Sequence, residues 1–139
     1  MLSQNEFEGN PDTMAKSNLA PITAGELMTR DVITANPSTP PEQLARLLLS
    51  HSIGGVPVID ETGKLVGMVS GYDVISKPGI STAEIMSRGV VSVTESSDVE
   101  EIVSLMGLHG IRRVPVCNDG QLVGIISRSD LLRHYARGR

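Results

Sequence analysis

The sequence predicts an α/β (α+β) fold of two tandem repeats, each ordered strand, helix, strand, strand, helix, packed together as one pseudo-two-fold module. Three observations carry this. Glu26 to Asp73 returns as Glu84 to Asp130, with 18 identities in 47 aligned positions. Short apolar runs bounded by Pro, Gly and Asn alternate with capped segments of helical period. A repeat of about 50 residues is marginal alone, so each needs the other to bury its apolar face. The resulting divisions are a leader over 1–21, a first repeat over 22–77, a second over 78–136 and a tail over 137–139.

The elements follow in chain order. Met1 to Pro21 is polar and aperiodic, with Gly9, Pro11 and Pro21, and reads as a mobile leader. Val32 to Ala35 is a short strand ended by Asn36-Pro37, matched by Val90 to Val93. In Thr39-Pro40-Pro41-Glu42 a capping residue precedes prolines and an acidic first turn, and Ser97-Asp98-Val99-Glu100 repeats the device. Leu44, Leu47 and Leu48 mark the buried face of the helix that follows, and Ile102, Leu105 and Met106 mark its counterpart. His51 and His109 fall near the ends of these helices, where the dipole favours a cation.

Val56-Pro57-Val58 and Val114-Pro115-Val116 are then short strands, each with a proline suited to an edge or a strand start. One turn differs in length, Asp60-Glu61-Thr62-Gly63 becoming Asn118-Asp119-Gly120, which a hairpin tolerates at little cost. Lys64 to Ser70 and Gln121 to Ser127 return antiparallel, and a second helix starts at Ser70 and at Ser127. The short connection from Ser76 to Ser81, with Pro78-Gly79, holds the repeats close.

Composition narrows the function classes. Phe7, Tyr72 and Tyr135 are the only aromatics and the net charge is −4, which argues for an aliphatic core and against nucleic-acid binding by stacking and a basic field. The single Cys117 excludes an internal disulfide framework and reads as core packing. No apolar run is long enough for a bilayer, and the first residues lack a signal-peptide pattern, so a cytoplasmic location is expected. The repeats bring together no nucleophile and base, no metal-ligand spacing and no glycine-rich phosphate loop. No enzyme, catalytic cofactor or metal site is therefore expected.

The chemistry lies in a doubled Gly-x-x-Ser-x-x-Asp: Gly67, Ser70 and Asp73, then Gly124, Ser127 and Asp130. Backbone N–H groups at a strand-to-helix junction attract phosphate. A carboxylate accepts two hydrogen bonds from a ribose diol, and a strand glycine lets a ligand approach the backbone. The same Ser and Asp also suit simple helix capping. The repeats differ in charge around this motif, where Arg112, Arg113 and Arg128 replace Gly54, Gly55 and Gly71.

This element order, the paired Val-Pro-Val strands and the doubled motif closely resemble the CBS (cystathionine beta-synthase type) domain pair, or Bateman module, from about Ala24 to Tyr135. The resemblance implies two pseudo-symmetric clefts between the repeats that hold adenosine nucleotides, and modules that pair into disc-shaped dimers. It implies Asp on the ribose hydroxyls, Ser near ribose or phosphate, and chain around the proline strand at the adenine.

Carried onto this sequence, a stronger site comprises Ser92, Arg112, Arg113, Val114, Pro115, Ser127, Arg128 and Asp130. A weaker one comprises Thr34, Gly54, Gly55, Val56, Pro57, Ser70 and Asp73. Gly54-Gly55 departs from the bulky or basic residues common there in the family, and arginine suits phosphate. The expected ligand is AMP, ADP or ATP, with NAD and S-adenosylmethionine sharing the same adenosyl ribose. The expected function is a regulatory homodimer that signals to an effector protein through conformation or assembly. The alternative is a nucleotide-free dimerisation scaffold.

Overall fold

A computed structural model describes residues 18–137, so most of the leader and the end of the tail lie outside the described residues. In chain order the elements are α1 (Ala24–Leu27), α2 (Pro41–His51), β1 (Gly55–Ile59), β2 (Leu65–Ser70) and α3 (Gly71–Ser76). The second repeat supplies α4 (Thr82–Ile85), α5 (Val99–His109), β3 (Arg113–Asn118), β4 (Gln121–Ser127) and α6 (Arg128–Ala136). β1 and β2 form one antiparallel hairpin and β3 and β4 another. Gly63 and Gly120 take positive φ, +89° and +83°, in the two hairpin turns, a conformation that costs glycine no steric penalty.

The expected first strands shrink to one bridging residue each. Ala35 N–H donates to the Pro57 carbonyl at 3.0 Å and the Ala35 carbonyl accepts from Ile59 N–H at 2.9 Å; Val93 does the same with Pro115 and Cys117 at 3.0 and 2.8 Å. The next rung toward the N-terminus would need an N–H from Pro57 or Pro115, which proline lacks. The prolines that suit a sheet edge thus also stop the strand beside them.

The helix caps also move. Pro40, not Thr39, is the N-cap of α2, and the Thr39 hydroxyl instead accepts from Asn36 N–H at 3.2 Å within the preceding turn. Asp98, not Ser97, caps α5, accepting from Glu101 N–H at 2.9 Å. Ser70 and Ser127 are N-caps as expected, each with a full capping box. Leu44, Leu48, Ile102 and Met106 are buried along the predicted faces.

The repeats exchange their leading segments. Ala24 and Met28 are buried with Val93, Val99, Ile102, Val114, Val116 and Ile126 of the second repeat. Reciprocally, Ile85 and Met86 complete the first repeat's core of Ala35, Leu44, Leu48, Val56, Val58 and Val69. Paired backbone hydrogen bonds fix each crossing: Thr29 with Ile125 at 2.9 and 3.0 Å, Ser87 with Met68 at 2.8 and 2.9 Å. Neither core is complete within one repeat. The expected leader docks before its predicted end, because Leu19 and Ile22 pack on the second repeat's core and His134 Nε2 meets the Ala20 carbonyl at 3.0 Å.

The motif glycines serve this exchange. A Cβ on Gly67 would lie 2.6 Å from Met86 Sδ and 2.9 Å from the Ser87 carbonyl oxygen. Met28 presses in the same way on Gly124. The close approach that the sequence suggested for a ligand is made here by a methionine from the opposite repeat.

Candidate functional site

Each Ser-x-x-Asp turn is built by its own capping box. Asp73 Oδ2 accepts from Ser70 N–H at 2.9 Å and from the Ser70 hydroxyl at 3.1 Å, while that hydroxyl accepts from Asp73 N–H at 3.2 Å. The same three contacts join Ser127 and Asp130 at 2.8, 3.1 and 3.2 Å. The other carboxylate oxygen faces a cation, Lys77 Nζ at 2.9 Å for Asp73 and Arg133 for Asp130. Capping therefore uses one edge of each carboxylate. Oδ1 of Asp73 keeps acceptor capacity beyond its single Lys77 contact.

Burial pushes the Asp73 carboxyl up, but the Lys77 ammonium and the Ser70 N–H and hydroxyl outweigh it, holding its pKa below the usual aspartate value. Asp73 thus stays anionic through the neutral range.

Asp73 faces a cleft of about 570 Å³ between the repeats, within the roughly 300–1,000 Å³ typical of small-molecule sites. Its first wall is Met68 to Ser70 with Asp73, and its second is Ser87, Gly89 to Val91, and His109 to Arg113 with Pro115. The carboxylate comes from one repeat and two guanidinium groups come from the other.

Arg113 crosses furthest. Its Nη1 and Nη2 would lie 3.2 and 3.3 Å from a Cβ built on Gly55 and on Gly54, and a Cβ on Gly55 would first meet the Val69 carbonyl oxygen at 2.8 Å, so Gly54 makes room for this side chain and Gly55 for the neighbouring strand as well. Burial, reinforced by the neighbouring Arg112 charge, lowers the Arg113 pKa. No ion pair among the described residues involves Arg112 or Arg113.

The grouping differs from the one drawn on the sequence. Ser70, Asp73, Arg112, Arg113 and Pro115 share the cleft, although the sequence divided them between two sites. Ser127, Arg128 and Asp130 are not among its lining residues, and Arg128 meets Arg112 through a backbone hydrogen bond of 2.8 Å. Thr34 and Ser92 open instead onto separate grooves of about 890 and 700 Å³. Val56, Pro57 and Val114 are buried, and Gly54 and Gly55 lie under Arg113.

Ser87, Gly89 to Val91 and the cleft-facing place of His109 went unrecognised in the sequence. Their signal was the recurrence of Met28/Met86 alongside Gly67/Gly124, a large side chain paired with a missing one. Cys117 is buried, as expected of a core thiol, and burial raises its pKa. Among the described residues no cluster of His, Cys, Asp and Glu could hold a metal, and no helix is long and apolar enough to cross a membrane.

Comparison with known proteins agrees with this architecture. The CBS domain model matches twice, over residues 24–78 and 83–137. An uncharacterised protein of Methanopyrus kandleri is 33% identical over 81% of this chain and 62% of its own length. The chain spans only 22–26% of an L-aspartate semialdehyde sulfurtransferase and of inosine-5'-monophosphate dehydrogenases that also match.

Among solved structures, CBSX2 in complex with AMP is 29% identical and superimposes with a TM-score of 0.79 over 83% of this chain and 96% of its own. The CBS pair of protein MJ0100, in complex with 5'-methylthioadenosine and S-adenosyl-L-methionine, is 27% identical with a TM-score of 0.79, covering 86% of this chain and 100% of its own. The swapped cores, the two Val-Pro-Val hairpins and both family matches lead to one conclusion: this chain belongs to the CBS domain family, as a tandem CBS pair.

Proposed function

We propose that this CBS pair is a regulatory module that binds an adenosine nucleotide in the cleft between its repeats. Asp73 Oδ1 accepts from the ribose hydroxyls, Ser70 lies beside the sugar, and Arg112 and Arg113 face the phosphate. The observation that carries the reading is the meeting in one cleft of an ionised carboxylate and two guanidinium groups that enter no ion pair among the described residues. AMP in the CBSX2 complex and adenosyl ligands in the MJ0100 complex support the ligand class. The phosphate falls to arginine because α3 has only six residues and Ser70 already occupies the Asp73 N–H.

Signalling requires that the ligand bind one arrangement of the module better than another. The cleft walls come from different repeats, so occupancy acts on the contact between them, and an effector protein would read that change. Titration calorimetry with AMP tests the site: micromolar binding, about −8 kcal/mol, that is lost in Asp73→Ala supports it. Equal binding by wild type and Asp73→Ala removes it.

A second reading, a dimerisation scaffold, rests on a different observation. Leu49, Tyr72, Ile75, Leu108 and Leu132 are between 61% and 82% exposed on α2, α3, α5 and α6. A second molecule of this chain would cover them. Ile75→Glu combined with Leu132→Glu should convert a dimer into a monomer in sedimentation velocity, and an unchanged sedimentation coefficient would contradict this.

A further inference from the structure

Resting on the reading that the inter-repeat cleft binds an adenosyl compound, we propose that each chain takes one ligand rather than two and selects adenosine phosphates over sulfur-linked adenosyl compounds. Arg113 is the residue that imposes both properties. It supplies charge to the Ser70–Asp73 cleft, and its guanidinium lies over Gly54-Gly55, the residues that repeat symmetry assigns to the second cleft.

The repeat offset makes the comparison residue by residue. Ser70 and Asp73 correspond to Ser127 and Asp130, and His109 corresponds to His51, so the polar frame is duplicated. The pairs that carry charge are unlike. Arg112 and Arg113 correspond to Gly54 and Gly55, and Gly89 in the cleft wall corresponds to Asp31. The second location thus loses two cations and gains the Asp31 carboxylate, with Arg128 in place of Gly71 as one added cation. Its glycine floor is covered by the Arg113 guanidinium, 3.2 to 3.3 Å from where side chains would begin.

Charge then decides the ligand class. Arg113 is half-buried beside Arg112, and neither enters an ion pair among the described residues. A desolvated cation next to a like charge is stabilised most by an anion. A phosphate monoester brings about −1.5 to −2 charges and forked acceptors that match guanidinium donors. A thioether brings no charge to that end of the cleft, and a sulfonium brings a third cation.

Calorimetric titration of the full chain with AMP, adenosine and 5'-methylthioadenosine tests this, alongside a variant carrying Arg112→Gly and Arg113→Gly. Wild type should bind one AMP per chain, about tenfold or more tighter than either phosphate-free compound. The double replacement should erase that preference and raise the number of 5'-methylthioadenosine sites toward two. Two equal AMP sites in wild type, or equal affinity for AMP and 5'-methylthioadenosine, would overturn the proposal without any variant, as would a preference that survives the replacement. Absence of binding by all three compounds to the folded wild type would instead overturn the nucleotide reading on which it rests.

Discussion

Gly67 and Asp73 sit six residues apart in one motif, yet their side chains, absent and present, answer to different demands. Gly67 leaves room for Met86 and the Ser87 carbonyl of the opposite repeat. Gly67→Ala should therefore destabilise the fold by roughly 1–3 kcal/mol through overpacking, seen as a lower urea midpoint; an unchanged midpoint would show that the approach is not tight.

Asp73 is held ionised by Ser70 and Lys77, so its folded pKa lies below the unfolded one. Its contribution to stability is complete above the ordinary aspartate pKa of about 4 and disappears as pH falls through the lower folded value. The stability difference between wild type and Asp73→Asn should be constant from pH 5 to pH 8 and shrink only in stronger acid. A difference that declines between pH 7 and pH 5 would contradict this account of the carboxylate. Both residues were visible in the sequence as a repeated motif, but sequence could not say whether the glycine faced a ligand or a methionine, because both need only a missing Cβ.

At the scale of elements, legibility followed local physics. The hairpins and the starts of α3 and α6 were readable because alternation, turn glycines and Ser-x-x-Asp capping are determined within a few residues. The strands at Val32 and Val90 were over-read, since apolar β-branched residues suggest a ladder while the donor that would extend it sits at a proline more than twenty residues away. Thr39 and Ser97 were misread as caps because the turns before α2 and α5 claim their hydroxyls.

Where the box is genuine its loss should be measurable. Ser127→Ala should cost about 1 kcal/mol in chemical denaturation, because Asp130 N–H loses its acceptor at the start of α6. A variant as stable as wild type would mean that this N–H is satisfied in another way.

At the scale of the molecule, the sequence showed the duplication and the structure adds the exchange of leading segments. Met28 belongs to the first repeat by sequence and to the second by packing, and Met86 is its converse. Pairwise identity gives no sign of which partner a segment packs on, so the sequence placed Ser70 and Arg113 in different sites. Folding is predicted to need both repeats. Residues 1–81 and 82–139 produced separately should each lack a cooperative thermal transition and regain one on mixing; a cooperative transition in either fragment alone would show that its core closes without the exchange.

The central claim is that the ligand lies across the repeats, with its ribose on one and its phosphate on the other. A crystal structure of the full chain grown with AMP tests this most directly. The account predicts one AMP per chain, its ribose hydroxyls on Asp73 and its phosphate against Arg112 and Arg113. AMP bound instead at Ser127 and Asp130, or in the grooves lined by Thr34 and Ser92, would contradict it.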